Sequence, residues 1–220
     1  MTPPRFDLLA PHYRWMEAVS FGRLLHRCRV ALLDRMTDAR RALVLGDGDG
    51  RFLRDLLAVN PRVTVDAIDG SRAMTAEAER RAETVPGGRA RVHFRTADAR
   101  TVPLPAAEYD LIVTHFFLDC FPHSQLGSLV ERVAAACARG GRWVAADFRL
   151  PARGAARAFG GVALFGLYAF FRRVTGLPAG RLVDPDPLIR RCGFAPEAET
   201  LLLGGFLSCR SWVKTGGAVR

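Results

Sequence analysis

This 220-residue sequence predicts an α/β domain built on a mostly parallel sheet, and three observations carry the prediction. Short apolar runs alternate with segments of helical periodicity between residues 41 and 150, the order in which a parallel sheet is threaded. The first of these runs stops at a glycine turn, Gly46-Asp47-Gly48-Asp49-Gly50. Near the C-terminus two strand-like segments flank Gly204-Gly205, the pattern of a closing antiparallel hairpin.

Taken in order, apolar residues before position 41 recur at spacings of three and four, as in Phe6, Leu9, Tyr13 and Met16 and then Phe21, Leu24, Leu25, Cys28 and Leu32. Two helices broken near Ser20-Phe21-Gly22 follow from that period. Ala42-Leu43-Val44-Leu45 reads as a strand buried on both faces. The helix after it starts near Arg51, buries Phe52, Leu53, Leu56 and Leu57, and ends before Pro61. A second strand over 63–68 leads to a polar, alanine-rich helix over 71–82, and a third strand follows over 91–96. The fourth strand, 111–114, is introduced by Tyr109-Asp110.

Leu126, Leu129, Val130, Val133, Ala134 and Cys137 share one helical face. That helix is expected to run to Gly140-Gly141, where glycine accepts a left-handed cap. A fifth strand covers 143–148, and residues 155–174 form an apolar helical stretch. Asp184-Pro185-Asp186-Pro187 opens a helix that ends at Cys192-Gly193, with proline in the first turn, where its missing N–H costs nothing. The hairpin pairs 200–203 with 206–213. One domain results over 1–220: a helical cap over 1–40, a core over 41–150, and further helices with the closing hairpin over 151–220.

Composition narrows the class of partner. Hydrophobic residues make up 49% and charged residues 25%, which excludes a disordered chain. The net charge of +10 comes from 32 basic residues among which Lys214 is the one lysine. Arginines spread over the whole chain do not form the mixed cluster of a dedicated phosphate-binding surface, so no nucleic-acid partner is expected. Five cysteines without a C-x-x-C pair or zinc-like spacing read as reduced thiols with no metal. No apolar run at the N-terminus marks a signal peptide, and the longest apolar stretch, over 160–171, is 12 residues, too short to span a bilayer. The expected compartment is the cytoplasm.

The glycine turn carries the chemistry. Glycines let the backbone approach a ligand, and the helix that follows presents free N–H groups. The spacing is G-x-G-x-G; a dinucleotide fingerprint wants a small residue where Arg51 and Phe52 stand. Asp47 and Asp49 would repel a pyrophosphate and suit a cationic ligand. Asp69 ends the second strand in Ala67-Ile68-Asp69-Gly70-Ser71, 19 residues after Gly50, where a carboxylate can accept both ribose hydroxyls; the other reading is an N-cap, a role for which Ser71 is also available. Asp98, in Ala97-Asp98-Ala99, stands where a carboxylate could accept an adenine amino group, or serve as a turn residue.

With these three features in this order, residues 41–150 resemble the class I S-adenosylmethionine-dependent methyltransferases. The resemblance implies a Rossmann-like seven-stranded, mostly parallel sheet with helices on both faces and the last strand antiparallel. It implies S-adenosyl-L-methionine as cofactor, with Gly46, Gly48 and Gly50 under its methionine part, Asp69 with Gly70 at the ribose, Asp98 and Ala99 at the adenine, and Thr114 beside it. That family often carries an acid two residues before the first glycine; Val44 stands there, so Asp47 or Asp49 is expected to meet the ligand's ammonium. Phe6-Asp7-Leu8-Leu9-Ala10-Pro11-His12-Tyr13, Ala146-Asp147-Phe148-Arg149-Leu150-Pro151 and Leu203-Gly204-Gly205 are similar to the ubiquinone and menaquinone C-methyltransferases. A small, apolar methyl acceptor is what this implies.

His115, Asp119 and Asp147 are the catalytic candidates, since each follows or ends a strand at the edge where such sheets bind ligands. His115 reads as a base or as a group orienting the acceptor, against a structural histidine. Asp119 reads also as a cap or ion-pair partner. Tyr13 reads as a cover for the pocket or a core aromatic. Cys120 lacks a preceding proline and reads as inert. The stretch 160–173, which ends in Arg172-Arg173, is either a helix over the acceptor or a peripheral membrane contact. Two readings from other classes stay open: a non-catalytic cofactor-binding regulator and a nicotinamide-dependent reductase.

Overall fold

A computed structural model describes residues 23–149 and 183–216. The expected N-terminal helix with Tyr13 and the apolar stretch over 155–174 lie outside the described residues. Seven strands form one sheet in the order β3-β2-β1-β4-β5-β7-β6. They are β1 (Arg41–Leu45), β2 (Thr64–Asp69), β3 (Val92–Thr96), β4 (Tyr109–Val113), β5 (Cys137–Phe148), β6 (Phe194–Leu202) and β7 (Leu207–Lys214). β1 to β5 pair in parallel, and β7 runs antiparallel between β5 and β6. This is the seven-stranded, mostly parallel Rossmann-like architecture with a reversed last strand.

Among the described residues five α-helices accompany them: α1 (Leu24–Arg29), α2 (Arg51–Val59), α3 (Arg72–Glu83), α4 (His123–Ala136) and α5 (Asp186–Arg191). α2 forms because Phe52, Leu53, Leu56 and Leu57 make one apolar stripe, and all four are buried. They pack on Val44, Val113 and Val144 with Cys28 and Met36 behind them. On the other sheet face, Leu126, Val130 and Val133 of α4 and Ile189 of α5 cover Leu43, Leu45, Ile112, Trp143 and Trp212. Each such side chain contributes about 1.5–3 kcal/mol of burial. α3 is polar on its outer side and starts where Ser71 Oγ accepts the Met74 N–H at 3.2 Å, so the capping role falls to Ser71.

Three boundaries differ from the sequence reading. α4 stops at Ala136 and not at Gly140-Gly141. Cys137 already pairs with Tyr109 in the ladder, and Gly140 bends the extended segment with φ +75°. A side chain at Gly141 would press on Cys137 Sγ at 2.8 Å. β6 begins at Phe194 rather than near residue 200, because β7 offers partners as far as Lys214. Pro196 sits in this edge strand next to a register shift, where a missing N–H is tolerated. Over the described residues the second of the two expected N-terminal helices is the short α1, followed by a 3₁₀ turn, Leu33–Met36.

Candidate cofactor and acceptor site

Parallel strands bring their C-terminal ends to one edge, and the strand order reverses between β1 and β4, which opens a crevice there. The glycine turn leaves β1 at that point. Gly46, Gly48 and Gly50 all have positive φ, at +66°, +63° and +78°, the region that L side chains avoid. Their surroundings divide the work. A side chain at Gly46 would collide with the Phe117 ring, and one at Gly50 would lie 2.6 Å from Ala78 Cα. Beside Gly48 the nearest atom is Met74 Sδ at 3.9 Å, so the middle of the turn is the part left open.

The four acidic residues of this edge are held differently. Asp69 Oδ2 accepts the Gly48 N–H at 3.2 Å and Oδ1 the Ser71 N–H at 2.8 Å, which ties the end of β2 to the glycine turn. Gly70 beside it has nothing within 4 Å of where a side chain would start. Asp47 Oδ2 accepts the Leu53 N–H at 2.9 Å, in the first turn of α2, while Oδ1 is buried without a hydrogen-bond partner. Burial pushes the Asp47 carboxyl up to about 7, against the Leu53 N–H and the Arg29 charge, which favour the anion. Asp49 is taken up by structure: its Oδ2 accepts from Arg51 Nε at 2.9 Å and from an Arg81 guanidinium nitrogen at 3.1 Å. Of the two residues expected near a ligand ammonium, Asp47 is the one with a buried oxygen left unpartnered and without an arginine on its carboxyl.

Asp98 sits after β3 under a bidentate grip from Arg100, whose Nε lies 2.9 Å from Oδ1 and whose terminal nitrogen lies 2.6 Å from Oδ2. That hydrogen bonding holds its carboxyl below the usual range. Ala99 is buried in the apolar layer with Ile68 and Val102. Thr114 follows β4, but its hydroxyl turns into the core and accepts the Trp143 indole N–H at 2.9 Å.

His115 is also buried. Its Nδ1 accepts the Ala146 N–H at 2.9 Å, and its ring meets Phe52 edge-on at 4.4 Å. The proton therefore sits on Nε2, which has no partner. Burial, with the nearby Arg29 charge, pushes its basicity well below the ordinary imidazole range. In this tautomer neither nitrogen has a lone pair to spare, which argues against the base and leaves the orienting group and the structural histidine.

Asp119, in the turn Leu118–Cys120 after β4, and Asp147, near the end of β5, are near enough for the charge of one to bear on the other. Asp147 is 2% exposed, and apart from the adjacent Phe148 N–H no group among the described residues bonds to its carboxyl. Burial and the Asp119 charge push its carboxyl well above the usual range, and burial pushes Asp119 up to about 6. The Cys120 thiol lies 3.6 Å from Asp119 Oδ1 and is itself pushed well up by burial, so it stays a thiol at neutral pH. Among the described residues no cluster of His, Cys, Asp or Glu could hold a metal ion.

Three groups escaped the sequence reading. Arg29 is 5% exposed and lies over the Phe116 ring at 5.1 Å; the signal was a charge at the i+4 position of the Leu25 stripe. Phe116 has φ +50°, a strained value for a bulky residue, and with Phe148 and Phe206 it forms a chain of aromatic contacts at 5.2 and 5.7 Å. Ser208, in β7, stands opposite Asp147 with a buried, unpartnered hydroxyl. Only strand pairing could bring those two together.

Comparison with known proteins agrees with this fold. Residues 42–141, slightly under half the chain, match the family described as Methyltransferase domain. No curated protein matches the chain in sequence. Among solved structures, an O-methyltransferase family protein from Burkholderia thailandensis superposes with a TM-score of 0.70 at 19% identity, over 97% of this chain and 65% of that one. The S-adenosylmethionine-dependent methyltransferase SibL in its apo form gives 0.70 at 21% identity, over 98% of this chain and 63% of that one. The chain thus spans just under two thirds of the length of these two proteins. The N-methyltransferase NodS from Bradyrhizobium japonicum, in complex with S-adenosyl-L-homocysteine, gives 0.62 at 15% identity, over 87% of this chain and 88% of that one. At such identities the likeness is one of fold.

Proposed function

We propose that this chain, with its methyltransferase-domain match over residues 42–141, is an S-adenosylmethionine-dependent methyltransferase acting on a small, largely apolar acceptor. The observation that carries the reading is the open glycine turn at the switch point, with Asp69 bonded to the Gly48 N–H and Asp47 Oδ1 left without a partner. The residues fit the cofactor. Gly48 leaves room for the methionine part, Asp47 offers a carboxylate oxygen to its ammonium, and Asp69 stands at the strand end where a ribose is held. When bound there, S-adenosyl-L-methionine supplies a methyl group already activated by a sulfonium. The chain's task is then alignment and exclusion of water, and positioning of this kind is worth roughly 7–11 kcal/mol.

Two groups of ring contacts, Phe116 with Phe148 and Phe206 in one core layer and Phe117 with Phe121 in the other, support an apolar acceptor of the quinone-precursor, phenol or lipid kind, as does the sequence similarity to quinone C-methyltransferases. Five free thiols support a reducing compartment such as the cytoplasm. No helix of the described residues is long and apolar enough to cross a membrane.

Thermal unfolding with S-adenosyl-L-homocysteine, and NADH as control, tests the reading. Ligand at a hundredfold its dissociation constant stabilises by about 2.7 kcal/mol, a rise in Tm of roughly 5–10 °C for a chain of this size. A rise with the homocysteine compound alone is expected. No rise at millimolar ligand, or an equal rise with NADH, would remove the cofactor assignment.

A further inference from the structure

We infer that Asp147, with Asp119 and Ser208 beside it, is the polar anchor of the acceptor site, and that it selects molecules carrying an O–H or N–H donor on an apolar body. The inference rests on the methyltransferase reading and adds to it the group by which the acceptor is recognised.

The geometry is that of a site built for a missing partner. Asp147 lies near the end of β5, at the same edge as the glycine turn, and pairs in register with Ser208 at the start of β7. Paired residues on neighbouring strands present their side chains to the same face. Apart from the adjacent Phe148 N–H, no group among the described residues bonds to the Asp147 carboxyl, and the Ser208 hydroxyl has no partner, although both residues are almost wholly buried. A buried carboxyl with so few hydrogen bonds costs stability, and native structures rarely leave one so. The cation that could neutralise it is engaged elsewhere: Arg210 bonds to Asp184 at 2.9 Å and lies over the Trp212 ring. Asp119 adds a second carboxyl from the loop after β4, bracketed in sequence by Phe117 and Phe121, whose rings meet at 5.0 Å. Two close carboxyls retain a proton between them readily, so the group can accept a hydrogen bond without carrying two full charges. A molecule that offers an O–H or N–H to Asp147, with an apolar ring beside Phe117 and Phe121, supplies the hydrogen bond that the carboxyl lacks.

The test is binding of four probes to the full chain saturated with S-adenosyl-L-homocysteine, read by ligand-observed NMR: phenol against anisole, and aniline against N,N-dimethylaniline. Phenol or aniline should bind at least tenfold more tightly than its methylated counterpart, and whichever pair shows the larger ratio tells oxygen from nitrogen. Asp147→Leu should bring that ratio within twofold while keeping the thermal shift with S-adenosyl-L-homocysteine and raising Tm, because a buried carboxyl short of hydrogen bonds is removed. Ser208→Ala should lower the ratio severalfold. Asp147→Asn, which preserves shape, should also lower it and serves if the leucine variant does not fold. Equal affinity within both pairs, no binding by any probe, or a ratio that survives at position 147 would overturn the inference. A wild-type chain that prefers phenol but shows no shift with the homocysteine compound would instead sink the cofactor reading and leave the anchor standing.

Discussion

Asp47 shows how one side chain can hold a helix start and still keep an oxygen for the proposed ligand. One oxygen caps the first turn of α2 through the Leu53 N–H, and the other is buried without a partner a few ångströms of chain from the open Gly48. Two residues before the first glycine stands Val44, buried in the apolar layer, and the carboxyl with an unpartnered oxygen, Asp47, stands three residues on, in the turn itself. Asp47→Asn should therefore weaken S-adenosyl-L-homocysteine about tenfold, or about 1.4 kcal/mol, and leave 5′-methylthioadenosine, which lacks the amino-acid part, unchanged. Calorimetric titration of both ligands decides it. Equal weakening of the two would mean that Asp47 acts only by holding the start of α2.

At the scale of elements, the contact between α2 and α3 sets the shape of the turn. The two helices approach so closely at Gly50 that a methyl group there would meet Ala78 Cα at 2.6 Å, and φ at Gly50 is +78°. Asp49, held by Arg51 and Arg81, fastens the same junction with charge-assisted bonds. Backbone strain and overpacking add, so Gly50→Ala should cost about 3 kcal/mol. Gly70→Ala has open space and no positive φ, and should fall within about 0.5 kcal/mol of the wild type. Urea unfolding of the two variants checks the contrast; similar losses would show that the α2–α3 junction yields more easily than its geometry implies.

For the whole molecule, the ligand edge is where stability is surrendered. Asp47, Asp119 and Asp147 all have carboxyls raised by burial, so between the unfolded value near 3.8 and about 7 the native state binds more protons than the unfolded chain. Their contribution is fully present at the acid end and is lost as pH rises through that window. His115, pushed the other way, subtracts stability below its ordinary 6.5 because the unfolded chain then takes up a proton that the buried ring refuses. Comparison with Asp47→Asn isolates one term: the stability of the wild type relative to the variant should be greater at pH 5 than at pH 8, measured by urea unfolding without ligand. A difference that does not change with pH would mean that Asp47 is already ionised in the native state.

The sequence by itself determined the layer order, the five parallel strands, the glycine turn and the acidic residues that follow β2 and β3, because each is written in a local period or in a residue type that one backbone conformation demands. It also placed His115, Asp119 and Asp147 at strand ends. What each polar group does there was decided by tertiary structure. Asp49 and Thr114 have the same sequence credentials as Asp47 and His115, yet Arg81, 32 residues away, claims the first and the Trp143 indole the second. The end of α4 moved for the same reason: Tyr109 and Cys137 pair across the sheet before the glycines are reached. Ser208 joined Asp147 only through the register of β5 against β7. Hydrogen bonds and ion pairs are short-ranged and saturable. Which carboxylate is spent inside the fold and which is left for a ligand therefore depends on partners distant in sequence, a fact that no local pattern carries.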